Sequence, residues 1–150
     1  MSYFLKIIVA VIFFSTINML SSCKKETSKN DTCKTDMSHI AGNYKLTAVK
    51  YKQNATSSEQ NFLPMIDDCE KDDLLTLHAD GTYDNNDIGV VCAPGNNSHG
   101  SWSVNANRLT SSDSDILEGV IESFDCQSLV YYVSDLYAPG DKLIFTLTKQ

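Results

Sequence analysis

Histidine is scarce in this chain, three in 150 residues, and no recognisable motif surrounds any of them. A catalytic nucleophile needs a base within hydrogen-bond reach and a third group to orient that base. Gly-x-Ser-x-Gly, His-Glu-x-x-His and a phosphate-cradling glycine loop are all absent, so no enzymatic activity is expected. Basic residues are also in the minority, 12 Lys and Arg against 19 Asp and Glu. Nucleic-acid binding depends on basic patches that neutralise phosphates, and that class is excluded. Closely spaced cysteine pairs of the zinc-finger type are missing, and His39, His78 and His99 are scattered, which leaves no metal-ligand pattern. Asp80, Asp84, Asn85, Asn86 and Asp87, or Asp113 and Asp115, offer oxygen ligands for calcium, but neither group follows the EF-hand spacing, and such clusters are usually turns. No cofactor or metal is expected. Finally, no apolar run reaches the roughly 20 residues of a membrane-spanning helix, because Ser15, Thr16 and Asn18 interrupt the one candidate.

That interrupted run has a different reading. Lys6 provides a basic start, residues 7–14 an apolar core, and Ser21 and Ser22 a small-residue junction, which are the three parts of a secretory signal. Leu20, Ser21, Ser22 and Cys23 together resemble a bacterial lipobox. The resemblance implies cleavage after residue 22 and acylation of Cys23 by diacylglyceryl and palmitate-type chains. One chain anchors marginally and two hold firmly, at about 0.8 kcal/mol per buried methylene. The expected location is the outer membrane, with the leaflet open; Lys25 and Glu26 fit a surface-export signal only loosely. Residues 24–32 carry no aliphatic side chain and read as a solvated stalk. The organisation is thus a signal peptide at 1–22, an acylated cysteine and stalk at 23–41, and one domain at 42–150.

Four cysteines remain beyond Cys23: Cys33, Cys69, Cys92 and Cys126. Export places them where disulfides persist, and four cysteines allow three pairings. Cys69 and Cys92 flank the clearest hairpin and are the favoured pair, with Cys33 and Cys126 as the second.

The body alternates with period two and is rich in Val, Ile, Thr, Tyr and Phe, with turn dipeptides at short intervals. Strands are predicted at 42–51, 74–78, 82–86, 100–105, 108–112, 116–124, 128–134 and 142–149. Asp80-Gly81, the 105–107 segment and Pro139-Gly140 supply turn chemistry between them. Eight short-linked antiparallel strands leave exposed edges unless the sheet closes, so the expected fold is an all-β, up-and-down barrel, with a sandwich as the alternative. Residues 52–73 form one long loop, with room for a short helical turn; it covers a barrel end or carries function.

The ordered set Gly42-Asn43-Tyr44, Asp68-Cys69-Glu70-Lys71-Asp72-Asp73, Asp80-Gly81-Thr82-Tyr83, Cys92, Gly100-Ser101-Trp102 and a closing 143–147 strand resembles the small lipocalin-like lipoproteins of Gram-negative bacteria. It spans about 41–150. Tyr44 stands where the wider lipocalins place tryptophan in a Gly-x-Trp signature. The resemblance implies an eight-stranded barrel and an export route. A barrel of that size is filled by side chains or holds one small ligand. Tyr44, Leu46 and Ala48 on the first strand, and Leu143, Phe145 and Leu147 on the last, are the expected inward positions. Tyr131, Tyr132 and Tyr137 suit a barrel mouth or the strand surface. Tyr44, Leu46, Trp102, Tyr131 and Phe145 are the candidate ligand contacts. Three functions follow: a tethered carrier of a small apolar or amphipathic molecule, a filled-core module that contacts an envelope protein through Phe62, Leu63 and Ile66, or an inhibitor or stress-protective lipoprotein.

Overall fold

Alternating apolar and polar residues force a strand to bury one face, and here the buried faces of successive strands meet around a common axis. A computed structural model of the chain describes residues 33–95, 97–112, 116 and 118–150. The signal segment, Cys23 and the 24–32 stretch lie outside the described residues. Among the described residues nine strands follow in chain order: β1 (Gly42–Lys52), β2 (Gln60–Asn61), β3 (Leu74–Leu77), β4 (Thr82–Asn86), β5 (Ser98–Asn105), β6 (Arg108–Ser111), β7 (Gly119–Phe124), β8 (Ser128–Ser134) and β9 (Lys142–Lys149). Neighbours from β3 to β9 pair antiparallel, and β1 pairs with both β3 and β9. The sheet therefore closes as an eight-stranded antiparallel barrel, and closure removes the edges that an open sheet would expose. β2 is an addition beyond the eight expected strands. It pairs only through Lys50–Asn61 and Tyr51–Gln60, on the stretch of β1 that β3 leaves uncovered.

Each predicted strand is present; β4, β8 and β9 have the predicted bounds and the other five have shifted ends. β7 starts at Gly119 rather than at 116, although Ile116 is buried in the core. The long loop holds the expected helical turns, a 3-10 turn at Leu63–Met65 and the helix α2 at Asp68–Lys71, the latter following the helix α1 (Met37–Ile40) in chain order. That first helix lies within the segment expected to be stalk. Asp36 caps it by accepting from the His39 backbone N–H at 3.0 Å, and Ile40 is fully buried among the core residues. Ordered packing thus begins before the first strand.

One inward assignment is corrected. The register of β1 against β9 shifts between Leu46 and Ala48, so Thr47 is an inserted residue. A single insertion exchanges the two faces of everything that follows. Tyr44 and Leu46 face the core as expected, but Ala48 sits opposite Thr146 on the outer side, and Val49 and Tyr51 take the inward positions opposite Phe145 and Leu143.

The two ends of the barrel differ. At one end, α1 and three tight turns close it: His78–Thr82, Asn105–Arg108 and Asp125–Ser128. Gly81 has φ +90°, and a Cβ there would press on Met37 and the Trp102 carbonyl, so glycine suits this turn sterically as well as conformationally. Trp102 is buried at this end and donates from Nε1 to the His78 carbonyl at 3.0 Å. The Tyr44 hydroxyl donates to the Ile40 carbonyl at 2.5 Å, fastening α1 across the opening. Cys33 is bonded to Cys126 beside the β7–β8 turn, which secures the chain to the same end.

Candidate functional site

The opposite end is the mouth. The loops between β1 and β3, β4 and β5, and β8 and β9 lie at this end. Cys69 and Cys92 join the first two of these loops, the pairing favoured from the sequence. The exposed large apolar side chains among the described residues are Met65, Ile88, Val90, Val91, Leu136 and Tyr137, and all of them sit on mouth loops. Soluble surfaces carry isolated apolar residues anyway; their concentration on one end is the informative feature.

One wall of the mouth is aromatic. Tyr51 ends the inward row of β1, Phe62 follows β2, and Tyr137 reaches in from the β8–β9 loop. Their ring centroids are 6.0 Å (Tyr51 to Phe62), 5.8 Å (Tyr51 to Tyr137) and 6.3 Å (Phe62 to Tyr137) apart. Tyr137 remains 63% exposed, so the cluster presents ring surface to solvent. The β8–β9 loop is held by Asp141, a fully buried residue. Its carboxylate accepts from the backbone N–H of Leu136, Tyr137 and Ala138 at 2.8–2.9 Å and from the Tyr51 hydroxyl at 3.3 Å. Burial pushes its pKa up, but the three backbone donors and Tyr51 outweigh that and leave it below the ordinary carboxylate value. The depressed pKa means that this stabilisation is present above the unfolded-state pKa, about 3.9, and is lost as pH falls through the lower folded value. Asp141→Asn turns an amide donor toward backbone donors, and a fall in Tm of roughly 10 °C at pH 7 is expected in a thermal melt. An unchanged Tm would show that the loop does not depend on the carboxylate.

The other wall is acidic. Asp73 directly precedes β3 and shares the inward face of Leu75 and Leu77, and the Asn85 amide, opposite Leu75 on β4, donates to its Oδ2 at 3.5 Å. Asp73 is only 9% exposed. Burial first, then repulsion from Asp87 and Asp72, pushes its pKa up; hydrogen bonds from Asn85 and the Ile88 backbone oppose the shift. Asp72 Oδ2 accepts from the Val90 N–H at 2.8 Å, and Asp87 accepts from the Cys92 N–H. These bonds set the β4–β5 loop and so hold Val90 and Val91 outward.

The five candidate ligand contacts do not form one site. Tyr44 and Trp102 belong to the closed end. Tyr131 and Phe145 stack inside the barrel with centroids 5.1 Å apart, and burial pushes the Tyr131 phenol up. Leu46 packs against the core, partly buried. Tyr132 points outward under Lys142, whose Nζ is 3.7 Å from its ring centroid. Of the three tyrosines considered for the mouth, Tyr137 alone is there. Sequence reading did not single out Asp141 as a site residue, and the acidic run Asp67, Asp68, Glu70, Asp72 and Asp73 reads from the sequence as a solvated loop; the local signals were that run and the turn pair Pro139-Gly140 directly before Asp141. Asp80, a calcium candidate, instead accepts from the Thr82 N–H and hydroxyl in its own turn, while Asp84 pairs with His78 at 2.8 Å. Among the described residues, no group of three or more His, Cys, Asp and Glu is arranged to hold a metal ion.

An open groove of about 480 Å³ lies on the outside of β5 and β6, between Met37 and Glu118. Its hydroxyls are largely committed: Ser103 and Thr110 bond each other at 2.7 Å, and Ser112 accepts from the Ser101 N–H at 2.9 Å. The mouth, which combines apolar rings with unspent carboxylate, is the stronger candidate.

A closed eight-stranded antiparallel barrel with one sealed end and a loop-lined mouth defines the class of up-and-down barrels that includes the lipocalins. The chain belongs to the lipocalin-like domain family, whose model matches residues 40–131, more than half of the sequence. No curated protein and no solved structure matches the chain.

Proposed function

We propose that this protein is a non-catalytic, membrane-tethered lipocalin-like lipoprotein that takes a small apolar or amphipathic molecule at the mouth of its barrel. The observation that carries the reading is the Tyr51, Phe62 and Tyr137 cluster, a partly exposed aromatic surface framed by ordered loops. Apolar ligands associate by burying such surface, and aromatic rings contribute large areas at little cost in conformational entropy. The lipobox resemblance at residues 20–23 supports acylation of Cys23 and attachment to the outer membrane of a Gram-negative bacterium. Cys33 is bonded to Cys126 at the closed end of the barrel.

The apolar rim also favours a second reading, a contact module for an envelope protein. Native mass spectrometry on protein released gently from its own envelope separates the two. Mass beyond the acyl chains, lost on mild activation, is expected for a carrier; mass explained by acylation alone moves the assignment to protein contact. An unmodified Cys23 would remove the tether. In vitro, the neutral apolar dye N-phenyl-1-naphthylamine is expected to bind saturably, and Phe62→Ala to weaken it about tenfold. Equal binding by both proteins would place the dye elsewhere.

A further inference from the structure

The two walls of the mouth are chemically opposed, aromatic on the β1 and β9 side and acidic on the β3 and β4 side. Asp73 is nine-tenths buried, and its Oδ1 has no hydrogen-bond partner; the same holds for the buried Oδ1 of the neighbouring Asp72. The nearest lysine in sequence, Lys71, is committed to Asp68 at 2.8 Å. A buried carboxylate is ordinarily paired with a cation or saturated by donors, because an unpaired charge away from water is costly. The chain answers that cost at Asp141, with three backbone donors and a tyrosine. It does so at Asp73 with only a long Asn85 contact and the Ile88 N–H. Repulsion from Asp87 and Asp72 adds to the imbalance.

We propose that the mouth selects amphiphiles with a positively charged head group, the apolar part lying against Tyr51, Phe62 and Tyr137 and the head against Asp73 and Asp72. The proposal rests on the reading of the mouth as a small-molecule site and gives that site its ligand class. A metal ion is the poorer occupant: the described residues hold no ligating cluster, and Asp72 Oδ2 is already bonded to Val90. An organic cation needs no such cluster. It gains from one or two carboxylates together with ring faces, which attract positive charge through the aromatic quadrupole. Anionic amphiphiles are opposed by the same carboxylates, so the site discriminates by repulsion as well as attraction.

The test uses displacement of N-phenyl-1-naphthylamine from the whole acylated protein by dodecyltrimethylammonium and by dodecanoate, both below their micelle concentrations. The cationic amphiphile is expected to displace the dye at a concentration at least about tenfold lower. Asp73→Asn is expected to collapse that preference, read as the ratio of the two displacing concentrations within the same protein. Asp72→Asn, which removes the second head-group carboxylate and keeps an oxygen for the Val90 N–H, is expected to reduce the preference and serves should the first variant fold poorly. Equal displacement by both amphiphiles would overturn the inference, with the carboxylates then served by ordered water only, and would leave the small-molecule site standing. Failure of the dye to bind at all would remove the site and the inference together.

Discussion

Replacing Cys33 and Cys126 together by alanine is expected to lower the unfolding free energy by about 4–5 kcal/mol, the largest effect of any simple change to this protein. The argument is one of chain length. A disulfide stabilises mainly by restricting the unfolded chain, and the restriction grows with the logarithm of the loop it closes. Cys33–Cys126 spans a sequence separation of 93, Cys69–Cys92 one of 23. The same relation gives about 3–3.5 kcal/mol for the shorter loop. Denaturant unfolding of both double-alanine variants, each with the other bridge intact, checks the order. A larger loss from the Cys69 and Cys92 pair would mean that the native packing of the mouth loops, rather than unfolded-state entropy, sets the contribution of that bridge.

Tyr44→Ala is expected to cost about 4 kcal/mol, the range for removing a large aromatic side chain from a packed interior. Tyr44 is fully buried and is the contact through which β1 holds α1 over the closed end. The change removes the ring, leaves a void and strands the Ile40 carbonyl. Tyr44→Phe keeps the ring and loses only the hydrogen bond, for about 1–2 kcal/mol, since the carbonyl is left buried without that donor. Hydrogen exchange gives the mechanism. The N–H groups of Ile40 and Ala41, which donate to Asp36 and Met37 within α1, should exchange faster in both variants if the hydroxyl docks the helix. Protection equal to wild type in Tyr44→Phe would mean that ring packing alone holds α1.

The strands were legible because their cause is local. Trp102 among serines on β5, or Leu143, Phe145 and Leu147 on β9, announce a buried face within a few residues, and Asp80-Gly81 marks its turn without reference to the rest of the chain. The antiparallel order followed from short links. The candidate site was less legible. Tyr44 and Trp102 were sound as inward residues but serve the closed end, because alternation tells which face a side chain takes and not how far along the axis it lies. Tyr131 and Tyr132 are adjacent and chemically identical; only the structure shows that Tyr131 stacks on Phe145 in the core while Tyr132 lies under Lys142.

By itself, then, the sequence determined an all-β chain of eight principal strands, its turns, a favoured cysteine pair, and the absence of recognised catalytic and metal-site motifs, all of which depend on residue types at short spacing. The tertiary structure alone decided three things. The insertion at Thr47 exchanges the faces of β1, so Val49 and Tyr51 point inward in place of Ala48; one extra residue leaves no signature in composition, yet period-two alternation makes it reverse every later position. Asp141 is anchored by its own turn and by Tyr51, 90 residues away, while Asp73 is left with few donors. The aromatic and acidic walls face one mouth because closure of the barrel brings loops from distant parts of the chain to one end. Periodicity is written residue by residue, whereas burial of a charge and convergence of loops are properties of the closed sheet.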